Sequence, residues 1–145
     1  MEVARVLPPA RDTERAMSHQ NVELVQSWFK RWNRGDRDFS TDDLHPDFQV
    51  VSRLQREPFE GREGLHRWMQ EVDEQFREWE LVGDEWRDTG DRVVVLGRLR
   101  LRGKESGVGV DQPHGWLVEF KDGKAFRFRH FARPQEALEA PGLRE

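Results

Sequence analysis

The chain has 145 residues, a length that fits one domain, and hydrophobic residues (35%) are about as frequent as charged residues (36%). Six Trp and nine Phe distinguish it from disordered chains and predict a small aromatic core beneath a charged surface. The net charge of −4 disfavours nucleic acid as a partner, and the absence of cysteine excludes disulfides and thiolate metal sites.

The amino-terminal segment carries no targeting or membrane signal. It lacks the apolar stretch of a signal peptide, and no apolar run in the chain approaches the roughly 20 residues that span a bilayer. We therefore expect a cytoplasmic protein with no membrane partner. Residues 1–17 combine mixed charges with a Pro-Pro pair and are predicted to be a flexible arm, with Met17 as an alternative start to Met1. Residues 18–143 are expected to form the folded domain.

Two amphipathic helices are predicted in the first half of the chain. The first begins after Ser18, a favourable N-cap, and ends near Gly35, which suits the left-handed conformation at helix ends. The second begins at Gly61. Apolar residues recur at helical spacing in both, at Val22, Val25, Trp28, Phe29 and Trp32 and again at Leu65, Trp68, Met69, Val72 and Phe76.

Strands make up most of the remaining chain. A short strand is predicted at 48–52, and from residue 79 the apolar period changes to two, which predicts strands at 79–86, 92–102, 110–120 and 125–133. Arg98, Arg100 and Arg102 fall on the side opposite the apolar residues and are expected to form cross-strand or cross-dimer ion pairs. Pro134 is predicted to start a short helix. This order predicts an α+β fold with one curved antiparallel sheet and helices on one face.

The segment HGWLVEFKDGKAFRFRH, residues 114–130, has a histidine at each end and a turn signal in the middle. Asp-Gly between two alternating runs is typical of a β-hairpin. We predict a three-residue loop at 121–123, with Gly123 in the left-handed conformation as a bulge, which places His114 opposite His130. A register shifted by two residues would keep the same faces and place Trp116 opposite His130.

Both histidines share the apolar face of this hairpin, and Gln112 joins them by alternation. Residues opposed on one face have Cβ atoms about 4.5–5.5 Å apart, so two imidazoles there can share a proton, hold a water or bind one polar group of a ligand. The alternative is that they are hydrogen-bonded core residues. No metal site is predicted, because no third histidine or carboxylate occurs at the required spacing.

Six pieces of the chain, in their order and spacing, resemble the SnoaL-like branch of the nuclear transport factor 2-like (NTF2-like) superfamily. They are NVELVQSWFKRWNRGD (21–36), LHPDFQV (44–50), FEGREGLHRW (59–68), DTGDRVVVLGRLRLRG (88–103), SGVGV (106–110) and FKDGKAFRFRHFARPQEALEAPGL (120–143). The resemblance implies a cone-shaped α+β roll, in which a curved antiparallel sheet wraps around the N-terminal helices and encloses an apolar pocket. It also implies a homodimer formed through the convex sheet face.

Several site residues of related enzymes are absent. The alignment places Ser52 where ketosteroid isomerases of this superfamily carry a catalytic carboxylate, and the chain has no Tyr to stabilise an enolate. The arginines within 92–102 point outward, unlike the inward Asp-Arg-Asp cluster of the epoxide hydrolases. Dehydratases of this fold use two pocket histidines around a water, which His114 and His130 match in residue type.

Three functions remain open on this evidence. The preferred one is binding of a small hydrophobic molecule without chemistry. The second is a cofactor-independent cyclase, isomerase or dehydratase, with His130 as base and His114 or Gln112 as donor, since a histidine of ordinary pKa near 6.5 is neutral at pH 7. The third is a dimeric interaction module whose pocket is filled by its own side chains. None of the three requires a cofactor.

The ligand-contacting residues are expected on the helices and on the inner face of the sheet. They are Trp28, Trp32, Phe48, Val50, Ser52, Trp68, Val72, Gln112, Trp116 and Phe128. Their aromatic rings suit a flat polycyclic ligand, although tryptophans at helical or strand spacing are more often plain core.

Overall fold

The order of elements follows the predicted sequence of helix, strand, helix, four strands and a short helix. The structure is a computed structural model that describes residues 9–39, 42–52 and 57–140. Within these ranges the elements are α1 (Pro9–Asn33), β1 (Leu44–Val51), β2 (Phe59–Glu60), α2 (Gly61–Gln75), β3 (Phe76–Asp88), β4 (Arg92–Gly103), β5 (Gly109–Lys121), β6 (Lys124–Phe131) and α3 (Pro134–Glu139). The α+β fold class is confirmed, and the two-residue strand β2 is an addition that the sequence did not indicate.

Helix α1 begins at Pro9, so the prediction that Ser18 caps its amino terminus is wrong. Proline is well tolerated in the first turn of a helix, because its missing N–H has no intrahelical acceptor there. The residues that follow it are mostly good helix formers and continue the helix into the amphipathic segment. Residues 9–17 of the predicted arm are therefore helical, and residues 1–8 lie outside the described residues.

The other end of α1 stops as predicted. Gly35 adopts φ +87°, and its N–H donates to the carbonyl of Trp32 at 2.9 Å. The next N–H, of Asp36, donates to the carbonyl of Arg31 at 2.9 Å. These two bonds form a Schellman motif, which satisfies carbonyls that the helix end would otherwise leave without partners.

The six strands form one sheet in the order β2-β1-β6-β5-β4-β3, and α1 and α2 contact its inner face. Neighbouring strands are antiparallel except for β1 and β6, which run parallel. The predicted alternation of β4 and β5 is confirmed, since their inner residues join the main core, namely Val93, Val95, Leu99, Trp116 and Val118. Their outer residues pack under α3 in a smaller cluster of Val94, Leu117, Ala137 and Ala140.

The outer face of β3, β4 and β5 carries the expected cross-strand ion pairs. Arg100 lies 3.4 Å from Glu80 and 3.1 Å from Asp111, and Arg102 lies 3.5 Å from Glu78. All five side chains are substantially exposed, so each pair contributes little to stability. The homodimer through the outer, convex face stays a prediction.

Glu119 is a buried charge on the same outer face. It is 0% exposed, and both of its carboxylate oxygens accept hydrogen bonds from Arg127, at 2.7 and 3.2 Å. Arg129 approaches it at 3.6 Å. Two guanidinium groups thus supply the counter-charge that a carboxylate removed from water requires.

The turn of the β5–β6 hairpin has two residues and not the predicted three. Lys121 pairs with Lys124, which leaves Asp122 (φ 55°) and Gly123 (φ 77°) as the turn. Positive φ at both positions is the signature of a type I′ turn, whose twist matches that of the flanking strands. The Asp-Gly dipeptide therefore marked the place of the turn correctly, but its type was misassigned.

A bulge shifts the hairpin register once more, immediately after the turn. Phe120 pairs with Ala125, whereas the next pair is Glu119 with Arg127. Phe126 is therefore the extra residue on β6. The predicted bulge lay at Gly123, three residues earlier.

The shorter turn and the bulge together displace the strands by two residues. Trp116 pairs with His130, so the predicted pairing of His114 with His130 is wrong. A two-residue shift returns every side chain to its original face, and both histidines remain on the inner side of the sheet.

Strands β3 and β4 pair at two glycines, at one of which the neighbouring backbone leaves no room for a side chain. Gly83 pairs with Gly97, and a bulge follows between Gly83 and Glu85. A Cβ atom on Gly97 would lie only 1.8 Å from the carbonyl oxygen of Val82, so no other residue fits without moving the strand. On its opposite edge Gly97 pairs with His114. This contact thus fixes the strand that positions one of the two histidines.

We expect Gly97→Ala to lower the free energy of unfolding by about 3 kcal/mol, because the added methyl overlaps a backbone oxygen. Urea unfolding followed by tryptophan fluorescence measures this. Gly109→Ala is the matched control, since a Cβ there meets the movable guanidinium of Arg102 at 3.0 Å. Wild-type stability in Gly97→Ala would show that β3 moves aside without cost.

We expect Glu119→Ala to destabilise the fold by about 3 kcal/mol, because two arginines lose their shared buried carboxylate. Glu119→Gln keeps the shape and removes the charge, so its loss should be smaller. Thermal and urea unfolding of the three proteins measure the difference. Equal stability of Glu119→Ala and wild type would mean that the arginines are hydrated well enough without it.

Candidate functional site

The two histidines lie at a cavity of about 120 Å³ on the inner side of the sheet. Strands β3, β4, β5 and β6 contribute most of its walls, and one residue follows the end of β1. The lining residues are Ser52, Phe76, Trp79, Leu99, Leu101, Gln112, His114 and His130. The fold thus brings together the four polar residues of the predicted site.

The imidazole rings of His114 and His130 are neighbours, with centroids 5.7 Å apart and planes at 62°. Because His130 pairs with Trp116, it meets His114 diagonally, two residues along β5. Both residues are buried, with exposures of 4% and 7%. The contact that the sequence predicted therefore exists, but through a diagonal rather than a direct pairing.

Burial makes His130 a neutral residue. Its pKa is lowered to about 3, chiefly because the charged form would lose its hydration and secondarily because His114 lies beside it. The imidazole is thus uncharged at physiological pH, when it can donate one hydrogen bond and accept another.

Aromatic rings surround the histidine pair. The ring of Trp68, delivered by α2, lies 5.3 Å from that of His130, and the ring of Phe128 lies 4.9 Å from it. On the other side the ring of Trp116 lies 4.7 Å from that of His114. These contacts hold both imidazoles in a largely apolar setting, which explains the lowered pKa of His130.

A second, smaller cavity of about 50 Å³ lies where the two helices meet the sheet. Its lining includes five of the predicted ligand-contacting residues, Trp28, Trp32, Phe48, Trp68 and Phe128, together with Phe29, Phe39, Leu44, Leu65, Met69 and Leu81. The rings of Trp32 and Trp68 stack with centroids 5.3 Å apart, and Trp32 Nε1 donates to the carbonyl of Trp79 at 2.6 Å. These tryptophans therefore join α1, α2 and β3.

Three other predicted ligand-contacting residues, Val50, Val72 and Trp116, are at most 1% exposed and line neither cavity. Conversely, Phe76, Trp79, Leu99 and Leu101 line the cavity at the histidines but were not in the predicted set. The alternation of apolar residues along β4 was the sequence signal that placed Leu99 and Leu101 on the inner face. Phe76 was assigned to the second helix, because the apolar period changes to two only from residue 79, three residues after β3 begins.

The described residues include no group of three or more His, Cys, Asp or Glu side chains placed to hold a metal ion. Within the same ranges, no helix has the length and apolar character needed to cross a membrane.

Solved structures share this fold. An NTF2-like protein of unknown function from Burkholderia pseudomallei has a TM-score of 0.71 at 21% identity, covering 81% of this chain and 94% of that protein. A candidate SnoaL-like polyketide cyclase from Jannaschia sp. CCS1 has a TM-score of 0.71 at 28% identity, covering 86% and 95%. TerC, co-crystallised with polyporic acid, has a TM-score of 0.68 at 21% identity, covering 82% and 95%.

A comparison with curated proteins found no match. The sequence profile of the SnoaL-like domain matches residues 25–128, which extend from Val25 in α1 to Phe128 in β6. The chain therefore belongs to the SnoaL-like domain family, with the NTF2-like fold that its strand order and helices form.

Proposed function

We propose that the chain binds a small, mainly apolar molecule of about one ring in the cavity beside His114 and His130. The observation that carries this proposal is a cavity of about 120 Å³ with mainly apolar walls. Its polar lining residues include His114, His130 and Gln112. Ligand sites typically combine an apolar lining with a few polar groups that fix orientation. An engineered apolar cavity of about 150 Å³ is large enough for benzene.

The size of the space argues against the flat polycyclic ligand that a tryptophan-rich sequence suggests. Pockets for drug-sized molecules enclose roughly 300–1,000 Å³. The cavities at the histidines and at the helices have volumes of about 120 and 50 Å³. The stacked rings of Trp32 and Trp68 form part of the wall of the smaller cavity.

A cofactor-independent cyclase, isomerase or dehydratase is the second candidate. Two buried imidazoles 5.7 Å apart favour it, as does the 28% identity with the candidate polyketide cyclase from Jannaschia. Against it stands the pKa of His130, about 3, because so weak a base has little driving force to accept a proton from carbon. Binding without chemistry therefore ranks first.

An interaction module with a self-filled pocket is the third candidate. The aromatic side chains that leave only about 50 Å³ at the helices favour it. It differs from the first candidate in a measurable way, since ring-sized molecules would then find no site.

The test is a binding experiment with benzene and cyclohexanone as single-ring probes. Binding is monitored by protein NMR and by thermal unfolding. We expect resonances of cavity residues to shift. At a probe concentration ten times the dissociation constant, the fold should gain about 1.4 kcal/mol.

Leu101→Phe should weaken this binding, because a larger side chain on the cavity wall fills the space. Leu96→Phe is the matched control on the same strand, since Leu96 packs on the outer face beside Val94. Probe binding that is unchanged in Leu101→Phe would place the ligand elsewhere. Absence of any binding in wild type would favour the interaction module.

The neutral state of His130 predicts a pH dependence of stability. Its pKa is about 3 in the folded chain and near 6.5 when unfolded, so below pH 6.5 the unfolded state binds more protons. Its stabilising contribution is therefore complete above pH 6.5 and is lost as the pH falls. Between pH 7 and pH 5 wild type should lose about 2 kcal/mol more than His130→Gln.

Urea unfolding at several pH values in this window measures the difference, and His66→Gln on the exposed side of α2 is the control for loss of one imidazole. Parallel curves for wild type and His130→Gln would contradict a buried, neutral His130.

A further inference from the structure

Several buried ring nitrogens around the histidine cavity lack a hydrogen-bond partner among the described residues. They include Nε1 of Trp68, Trp79 and Trp116 and Nε2 of His130. An indole N–H is a donor and never an acceptor. A donor removed from water and left unpaired costs about 1–3 kcal/mol, so such groups call for an acceptor.

These nitrogens belong to one continuous cluster of rings. Trp79 and His130 line the cavity itself. The ring of Trp68 bridges them, with its centroid 6.3 Å from that of Trp79 and 5.3 Å from that of His130. Trp116 joins through its contact with His114, 4.7 Å between centroids. Trp79 and His130 therefore lie on the cavity wall, and Trp68 and Trp116 pack directly behind the histidines that line it.

The polar groups that line the cavity supply donors without fixed charge. Gln112 presents an amide that can turn either its oxygen or its nitrogen inward, and a neutral imidazole offers one donor. Among the described residues, the lining includes no lysine or arginine and no carboxylate side chain. A carboxylate ligand would thus be desolvated without a counter-ion, whereas a neutral carbonyl would gain hydrogen bonds at little desolvation cost.

We infer that the ligand of this cavity is a neutral carbonyl compound of about one ring, such as a cyclic ketone, held with its oxygen toward the indole and imidazole donors. This inference rests on the proposed function, because it specifies the chemistry of the molecule that the same cavity takes up. Trp79 is the residue that distinguishes a carbonyl from a hydrocarbon of equal shape.

The experiment compares cyclohexanone with methylenecyclohexane, which has the same shape but carries CH₂ in place of the oxygen. Cyclohexylammonium and cyclohexanecarboxylate are the charged arms. Titrations followed by ¹H–¹⁵N NMR report on each indole N–H directly. We expect cyclohexanone to bind about tenfold more tightly than methylenecyclohexane, to bind more tightly than either charged probe, and to shift the indole N–H resonance of Trp79 downfield.

Trp79→Phe removes the donor and keeps an aromatic ring. It should weaken cyclohexanone binding about tenfold and leave methylenecyclohexane binding unchanged. Trp28→Phe is the matched control, because Trp28 lines the smaller cavity at the helices. Since each variant is compared with both probes, a general loss of folding would affect the two equally and would be recognised.

The outcomes separate this inference from the proposed function. Equal affinity for cyclohexanone and methylenecyclohexane would keep the ring-sized site and overturn the carbonyl preference. Tighter binding of cyclohexylammonium would also overturn it, in favour of a cation held against aromatic faces. If none of the four probes binds, the proposed function and the inference both fail.

Discussion

The close approach of β3 and β4 at Gly83 and Gly97 is the constraint on which the rest of the fold depends. The carbonyl of Val82 occupies the space of a side chain at position 97, and the bulge beside it allows the long strands to bend around the helices. On one side of the bend, β4 contributes Val93 and Val95 to the core, and on the other side Leu99 and Leu101 line the cavity. His114, paired with Gly97, marks the transition between the two regions.

The two faces of the sheet deal with buried titratable groups in opposite ways. On the outer face the carboxylate of Glu119 is paired with the positively charged side chains of Arg127 and Arg129, which contact it. On the inner face, none of the described residues that line the cavity is a lysine or an arginine, and His130 is neutral because its pKa falls to about 3. Desolvation therefore changes the role expected of that histidine. At pH 7 the neutral imidazole of His130 can donate and accept hydrogen bonds, as an amide does, but it is a poor base. This favours ligand binding over acid–base catalysis.

The alternation of apolar and polar residues was sufficient to predict which face of each strand is buried. It was not sufficient to predict the register of the hairpin. The inner and outer faces of β4 and β5, the end of α1 at Gly35 and the start of α2 at Gly61 follow from apolar spacing and glycine, and the structure has them. The hairpin register did not follow, because a two-residue shift preserves the faces and is set by the turn type and by a bulge at Phe126. Of the site, His114, His130, Gln112 and Ser52 were in the predicted set and share a cavity. Trp79 was correctly predicted to lie in a strand, but alternation alone did not show that it lines the same cavity as the histidines.

The parallel pairing of β1 with β6 has a consequence for the order of folding during synthesis. Leu44 lies beside Ala125, and the Ala125 N–H donates to the carbonyl of Asp43 at 2.9 Å, so contacts of β1 span about half the chain. A nascent chain that has emerged only as far as α2 can pair β1 with the two residues of β2 and with nothing longer. The edge of β1 that pairs with β6 then stays unpaired until β6 leaves the ribosome. Closure of the cone is thus a late, long-range event that couples both ends of the sequence in one cooperative unit.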